Sequence, residues 1–106
     1  MNFEKFINSP ARVAWIKGPK TLSVYVRRTP NNPYWRDHYG DFQIANMFTE
    51  TMGQGALTEF LNELESRYSI FVENVLNERL IPFLERRGYK RVGNDTVLPS
   101  FLRKKQ

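Results

Sequence analysis

The hydrophobic positions of this chain change their period along its length, and the changes predict its secondary structure. Alternation over Thr21–Arg28 places Leu22, Val24 and Val26 on one face of a strand, which is typical of a half-buried sheet. The preceding stretch, 11–16, ends in a Gly-Pro turn and predicts a neighbouring strand. Because the connection is short, we expect the two strands to form an antiparallel hairpin.

A strand, a helix and another strand are predicted in the middle of the chain. The apolar run Asp41–Phe48 predicts a strand in a central position of a sheet. Four apolar residues then follow at i, i+3, i+4 and i+7: Leu57, Phe60, Leu61 and Leu64. This spacing predicts an amphipathic helix that ends near Ser66. The next apolar run, Ser69–Val75, predicts a strand parallel to the first and beside it, since a helix connects them.

The C-terminal third predicts a second helix followed by two short strands, over 89–92 and 96–102. The helical segment 77–87 ends at Gly88, which we expect to cap it. Pro82 leaves two interpretations open, because proline inside a helix removes a hydrogen bond and clashes with the preceding turn. Either the regular helix begins near Leu80, with Pro82 in its first turn, or the helix is kinked.

The stretch Thr29–Gly40 is predicted to be a loop, because it contains two prolines, two asparagines and a glycine. It also contains a cluster of aromatic and basic residues: Tyr34, Trp35, Arg36, His38 and Tyr39. Such a cluster can stack a base or hold a partner, and it can equally fold back onto the domain as a lid. Both interpretations stay open.

Composition restricts the possible classes of function. A chain of 106 residues that is 41% hydrophobic and 25% charged suits one soluble domain, spanning 1–106, with a single core. The chain has no cysteine and one histidine, so we expect neither disulfides nor a metal site. No apolar run approaches the roughly 18 residues of a membrane span, and the N-terminus lacks the apolar core of a secretion signal. We therefore expect a cytoplasmic protein with no membrane partner.

The net charge of +5 is unevenly distributed. Residues 1–48 carry seven basic and three acidic side chains, residues 49–85 two and seven, and residues 86–106 seven and one. The basic ends are either solvated faces or a binding surface, and such a surface would take phosphate-bearing ligands or an acidic partner. The last residues, 103–106, are expected to extend into solvent. A nucleic-acid-binding domain that uses the basic ends and the aromatic stretch is one possible function.

A glycine turn, Gly53-Gln54-Gly55, immediately precedes the central helix. Glycine lets the backbone approach an anion closely, and the first N–H groups of a helix have no partner inside it. The turn is thus suited to hold a phosphate, at the edge where open α/β sheets bind ligands. A simple tight turn is the alternative.

Two motifs at a characteristic distance carry a family resemblance. The stretch Glu50–Gly55 follows the pattern Gln/Arg-x-x-Gly-x-Gly/Ala, except that Glu50 stands at its first position. The second motif has an Asn, then an alanine or similar residue three positions on, an apolar-Tyr pair at six and seven, and Gly-Phe at eleven and twelve. Its counterparts here are Asn77, Leu80, Phe83-Leu84 and Gly88-Tyr89. In these motifs, over roughly residues 11–102, the chain resembles the GNAT superfamily of acetyl-CoA-dependent N-acetyltransferases.

The resemblance implies an α/β (α+β) fold with a central mixed sheet of about five to six strands and two main helices, the family's N-terminal strand and helices being reduced. It implies acetyl-CoA as co-substrate, bound in a splayed gap between the strands at 41–48 and 69–75. The implied binding residues are Ala45, Asn46 and Met47 for the pantetheine arm, Met52, Gly53, Gln54, Gly55 and Ala56 for the pyrophosphate, and Asn77 for the arm. For Asn77 a plain helix cap is the alternative.

Three residues bear on activity. Glu50 brings a negative charge close to the expected diphosphate, and Leu84 replaces a tyrosine that protonates the leaving thiolate in many family members. Glu73 interrupts an apolar strand beside the expected gap, so it is the candidate catalytic base, with an outward-facing or ion-paired glutamate as the alternative. The acceptor implied is an amine on a protein, because the elements that normally build the acceptor pocket are reduced. A catalytically inactive GNAT-like module that binds a partner is the competing hypothesis.

Overall fold

A computed structural model describes residues 1–49, 55–75, 77–93 and 98–105. Within these ranges the chain is an α+β structure with four helices and one six-stranded sheet. The strands are β1 (Val13–Lys17), β2 (Leu22–Arg28), β3 (Phe42–Thr49), β4 (Ile70–Val72), β5 (Lys90–Val92) and β6 (Ser100–Arg103). The helices are α1 (Phe3–Ile7), α2 (Pro33–Tyr39), α3 (Ala56–Glu65) and α4 (Leu80–Arg86). None of the helices in the described ranges is long and apolar enough to cross a bilayer.

The sheet has the strand order β1-β2-β3-β4-β6-β5. β1 and β2 form the predicted antiparallel hairpin, and β3 lies centrally with β2 on one side and β4 on the other. The β3–β4 pair is parallel, as the intervening helix predicts, and the remaining neighbours are antiparallel. The sheet is therefore mixed, and its one parallel pair lies at the middle.

The main core lies on one face of this sheet. The alternation in β2 buries Leu22, Val24 and Val26, as predicted. Helices α1, α3 and α4 contribute to the same buried cluster, with fully buried side chains such as Phe6, Leu64 and Leu84. At about 25 cal/mol per Å² of buried apolar surface, each such side chain contributes roughly 1.5–3 kcal/mol to folding.

The stretch predicted as a loop over 29–40 contains a helix, α2, so that prediction is wrong. Asn32 is its N-cap, and the Asn32 side-chain oxygen accepts hydrogen bonds from the N–H groups of Tyr34 and Trp35, at 2.9 and 3.3 Å. Pro33 occupies the first helical position, where its fixed φ suits a helix and its missing N–H is not needed. The Asn-Pro pair that suggested a turn is thus a helix start.

Helix α2 lies on the face of the sheet opposite the main core. Its last residue, Tyr39, meets the buried Phe71 of β4 edge to face, with ring centroids 5.1 Å apart. Phe71 alternates with Ile70 and Val72, which both belong to the main core. The aromatic cluster therefore folds back onto the domain at Tyr39, while Trp35 remains exposed.

Helix α4 resolves the question that Pro82 raised, because it begins at Leu80 with Pro82 in its first turn. Its C-terminus is closed as predicted, at Gly88, which has φ +89°. The Gly88 N–H donates to the Glu85 carbonyl at 3.1 Å, and the Tyr89 N–H donates to the Leu84 carbonyl at 3.0 Å. These two bonds are those of a Schellman motif.

Candidate functional site: a cleft between two parted strands

The parallel strands β3 and β4 pair over only three residues. Phe42, Gln43 and Ile44 face Ile70, Phe71 and Val72, and the last bond between the strands runs from the Glu73 N–H to the Ile44 carbonyl, at 2.9 Å. Beyond this point β3 continues along β2 to Thr49. The two strands therefore part, and a gap opens beyond their last shared hydrogen bond.

An irregularity in β3 coincides with the start of the gap. Val26 of β2 faces Ile44, whereas the preceding Tyr25 faces Asn46, so Ala45 is an extra residue on β3. This is a β-bulge, which increases the local twist and turns the strand away from a regular ladder. The bulge lies directly after the last residue of β3 that pairs with β4.

A second irregularity lies across the gap, at Asn74. Its φ of +46° is in the left-handed region, which asparagine tolerates better than most residues. The Asn74 N–H donates to the Ser100 hydroxyl at 3.0 Å, and the Val75 N–H donates to the Pro99 carbonyl at 2.8 Å. The chain after β4 is thus bonded to the segment leading into β6 and cannot pair with β3. This is why β4 is shorter than the predicted strand Ser69–Val75.

The gap forms a cleft of about 390 Å³. Ala45, Asn46 and Met47 line it from β3, and Glu73, directly after β4, lines it from the other side. Asn77 also lies on the lining, so the structure brings these five predicted site residues together. Leu80, at the start of α4, is one of the apolar residues of the lining.

One backbone group of the cleft is already engaged. The Met47 N–H donates a hydrogen bond to the side-chain oxygen of its neighbour Asn46, at 2.8 Å. An Asn side chain here substitutes for the missing strand partner. A ligand amide that paired with this part of β3 would replace that local bond.

Glu73 forms an ion pair with Arg27 of β2. Their side chains are 28% and 38% exposed, so the pair is partly screened by solvent. The Arg27 Nε is buried and has no hydrogen-bond partner within the described residues. Of the two interpretations of Glu73, the structure contains the ion-paired one, and its role as a base remains a prediction.

Asn77 lies at the turn into α4. Its side-chain oxygen accepts a hydrogen bond from the Arg79 N–H at 3.0 Å, and its carbonyl accepts one from the Leu80 N–H at 2.9 Å. The N-cap of α4 is Arg79, so Asn77 does not cap the helix; its side chain forms an Asx turn immediately before it. Because the side chain is exposed on the cleft lining, its amide N–H₂ can still contact a ligand.

The start of α3 carries the remaining predicted residues. Gly55 is its N-cap, with φ +72° and no side chain to cap the helix, and the Glu59 N–H donates to the Gly55 carbonyl at 3.0 Å. Gly55 and the buried Ala56 do not belong to the cleft lining. Met52, Gly53 and Gln54 lie outside the described residues, as does Glu50.

Three other residues that bear on proton transfer, Tyr89, Leu84 and His38, do not belong to the cleft lining. Burial, followed by the nearby Glu65 carboxylate, raises the pKa of Tyr89, so its hydroxyl holds its proton. Leu84 is fully buried. The His38 Nδ1 lies 2.8 Å from the Tyr34 carbonyl, on the outside of α2. The described residues also contain no group of three or more metal-ligating side chains close enough to hold an ion.

Sequence reasoning missed two residues of the site, Arg27 and Asn74. Arg27 had a signal, because the alternation of β2 places it on the polar face beside Tyr25. Asn74 had a weaker signal, since an asparagine inside an apolar strand is a candidate for a left-handed conformation.

No family model, curated protein or solved structure gives a significant match to this chain.

Proposed function

We propose that this protein is an acetyl-CoA-dependent N-acetyltransferase that acts on an amine of a protein, in the cytoplasm. The observation that carries the proposal is the parting of β3 and β4 after three paired residues, with Ala45, Met47 and Glu73 on the walls of the resulting cleft. The GNAT resemblance of the sequence implies a cofactor in this gap. The mixed sheet, with its one parallel pair at the middle, supports the same assignment.

The cleft suits an elongated ligand that carries amides, as the pantetheine arm does. Its β3 wall, from Ala45 to Met47, has no strand partner on the β4 side, and its other wall includes Val75 and Leu80, which can contact methylene groups. The start of α3, which lies outside the cleft lining, has N–H groups without intrahelical partners, and we propose that these receive the phosphates. The residues present therefore fit the arm of the co-substrate.

Bound acetyl-CoA would supply an acetyl thioester, whose carbonyl carbon bonds to the amine nitrogen while the bond to sulfur breaks and its electron pair leaves with the thiolate. In this proposal Glu73, which lines the cleft, receives the proton that the nitrogen loses, directly or through water. Arg27 holds the Glu73 carboxylate in one position. Leu84 cannot donate a proton, so the thiolate takes its proton from solvent.

Calorimetric titration with acetyl-CoA tests the proposal, and one position offers matched variants. Ala45→Leu places a larger side chain in the cleft, whereas Ala45→Ser keeps its volume. We expect the wild type and Ala45→Ser to bind, and Ala45→Leu to bind at least tenfold more weakly with an unchanged melting temperature in the absence of ligand. Gly55 is a poorer position for this test, because its φ of +72° strains any side chain.

Transfer is then measured by mass spectrometry on a pool of lysine-containing peptides. Acetylated peptides support the enzyme. Binding of acetyl-CoA without transfer would instead identify a catalytically inactive cofactor-binding module. Failure of the wild type to bind acetyl-CoA, together with steeply salt-dependent binding to DNA, would overturn the proposal in favour of a nucleic-acid-binding domain.

A further inference from the structure

A second cleft lies on the α2 side of the sheet and has a volume of about 540 Å³. One wall is aromatic and runs from solvent to the sheet: Trp35 is 44% exposed, Tyr39 is half-buried, and Phe71 is buried. Trp35 stacks on Tyr39 with ring centroids 5.5 Å apart and an angle of 18° between the rings. The wall is therefore a continuous apolar surface that leads inward.

This second cleft meets the first one at the parted strands. Glu73 and Asn74 line both clefts, and Arg27, the ion-pair partner of Glu73, also lines the second. A group held along the aromatic wall can thus reach the place where the first cleft presents its ligand. The sheet is open at this point because β4 ends at Val72.

We propose that the second cleft takes the acceptor, and that the acceptor is the side-chain amine of a lysine in a peptide. This inference rests on the proposed function. An unbranched chain of methylene groups can cover the aromatic wall from Trp35 inward, and the amine at its end then reaches Glu73. An N-terminal amine would bring peptide backbone, which carries polar groups, against that apolar wall.

The Arg27–Glu73 ion pair puts a proton acceptor on the lining of the second cleft. The Glu73 carboxylate attracts the ammonium form of the amine, and the Arg27 guanidinium acts in the opposite sense. Only the neutral amine can attack a thioester, and the Glu73 carboxylate is the acceptor for the proton released.

The two tryptophans of the chain make the binding step visible without acetyl-CoA. Trp15 lies on β1, in neither cleft lining, so Trp15→Phe leaves Trp35 as the single tryptophan. We expect a lysine blocked at its backbone amine and carboxyl to change the Trp35 emission in a saturable manner. The matched norleucine compound, which lacks the amine, is expected to bind several-fold more weakly. No change of emission with the lysine compound would overturn the inference.

Kinetics separates this inference from the proposed function. Trp35→Ala should raise KM for a lysine peptide roughly three- to tenfold and leave the Kd for acetyl-CoA unchanged. Trp35→Phe, which keeps an aromatic ring, should have a KM close to that of the wild type. Trp15→Ala, the control, should change neither KM nor Kd. If the wild type transfers acetyl groups but Trp35→Ala leaves KM unchanged, the acceptor site is wrong and the proposed function stands. Preferential acetylation of N-terminal amines over lysine would overturn the acceptor class. Failure to bind acetyl-CoA would overturn the proposed function, whatever the fluorescence titration shows.

Discussion

Among the glycines that the structure describes, Gly40 is expected to be the one at which a single methyl group does most damage, at the start of the paired stretch of β3 and β4. It lies between α2 and β3 with φ +67° and ψ −164°, a combination that is essentially restricted to glycine. A Cβ at this position would lie 2.7 Å from the carbonyl oxygen of Ser69 and 2.8 Å from its carbonyl carbon. The same Ser69 oxygen accepts a hydrogen bond from the Asp41 N–H at 2.8 Å.

The expected cost of Gly40→Ala has two parts. The backbone conformation costs about 1–3 kcal/mol in a residue with a Cβ. The contact with Ser69 is with backbone, which cannot rotate away, so displacing β4 adds about 1–3 kcal/mol, as overpacking does elsewhere. We expect Gly40→Ala to lower the free energy of unfolding by about 2–6 kcal/mol, a large fraction of the stability of a small domain.

Gly93→Ala is the matched control, because Gly93 has φ +80° and, among the residues that the structure describes, no heavy atom lies within 4 Å of its Cβ position. It should cost about 1–2 kcal/mol from backbone conformation alone. The gain from a less flexible unfolded chain applies to both variants and cancels in their difference. Urea unfolding with linear extrapolation measures both values. Equal losses, within about 0.5 kcal/mol, would refute the argument that Gly40 is needed for close approach of the backbone.

Three further predictions concern ionisable groups. Glu73→Gln should slow acetyl transfer by about 10²–10⁴ but lower the free energy of unfolding by less than about 1 kcal/mol, since its ion pair is partly exposed; a rate within a factor of about two of wild type would exclude Glu73 as the base. Tyr89 keeps its proton in the folded state and loses it near pH 10 when the chain is unfolded. The free energy of unfolding should therefore decline above pH 10, by up to about 1.4 kcal/mol per pH unit, and Tyr89→Phe should lack this decline when unfolding is measured over a series of alkaline pH values. Glu65→Gln should lower the free energy of unfolding in urea by about 1–3 kcal/mol, because it breaks a bidentate ion pair in which the Glu65 and Arg87 side chains are 9% and 18% exposed. Asp37→Asn, which breaks an ion pair on the open surface, should cause no measurable change.

The regular elements could be predicted because their signals are local. Alternation is sufficient to identify β2 and its buried face, and the helical spacing identifies α3. Pairing of the two central strands then follows from the helix between them. The residues Ala45, Met47 and Glu73 were placed near one another for the same reason, since parallel strands bring equivalent ends to one edge.

The errors occurred where tertiary contacts decide. Asn74 adopts a left-handed conformation in a stretch whose apolar pattern favours a continuing strand, and its bond to Ser100 arises only once β6 is in place. The basic tail was predicted to extend into solvent, but Arg103 belongs to β6 and its Nε donates to the Arg87 carbonyl at 2.9 Å. A charge pattern cannot show that a helix C-terminus with free carbonyls lies beside the tail. The partner of Glu73 was missed likewise, because Arg27 is two strands away.

The bulge at Ala45 and the turned backbone at Asn74 together have a consequence for how fast a ligand can enter. The bulge is set by the pairing of β3 with β2, and the turn at Asn74 by the bond from its N–H to the Ser100 hydroxyl. The cleft is therefore preorganised, and no strands have to separate on binding. Association should therefore be a single step, with an observed rate that rises linearly with ligand concentration and shows no plateau from a slow opening.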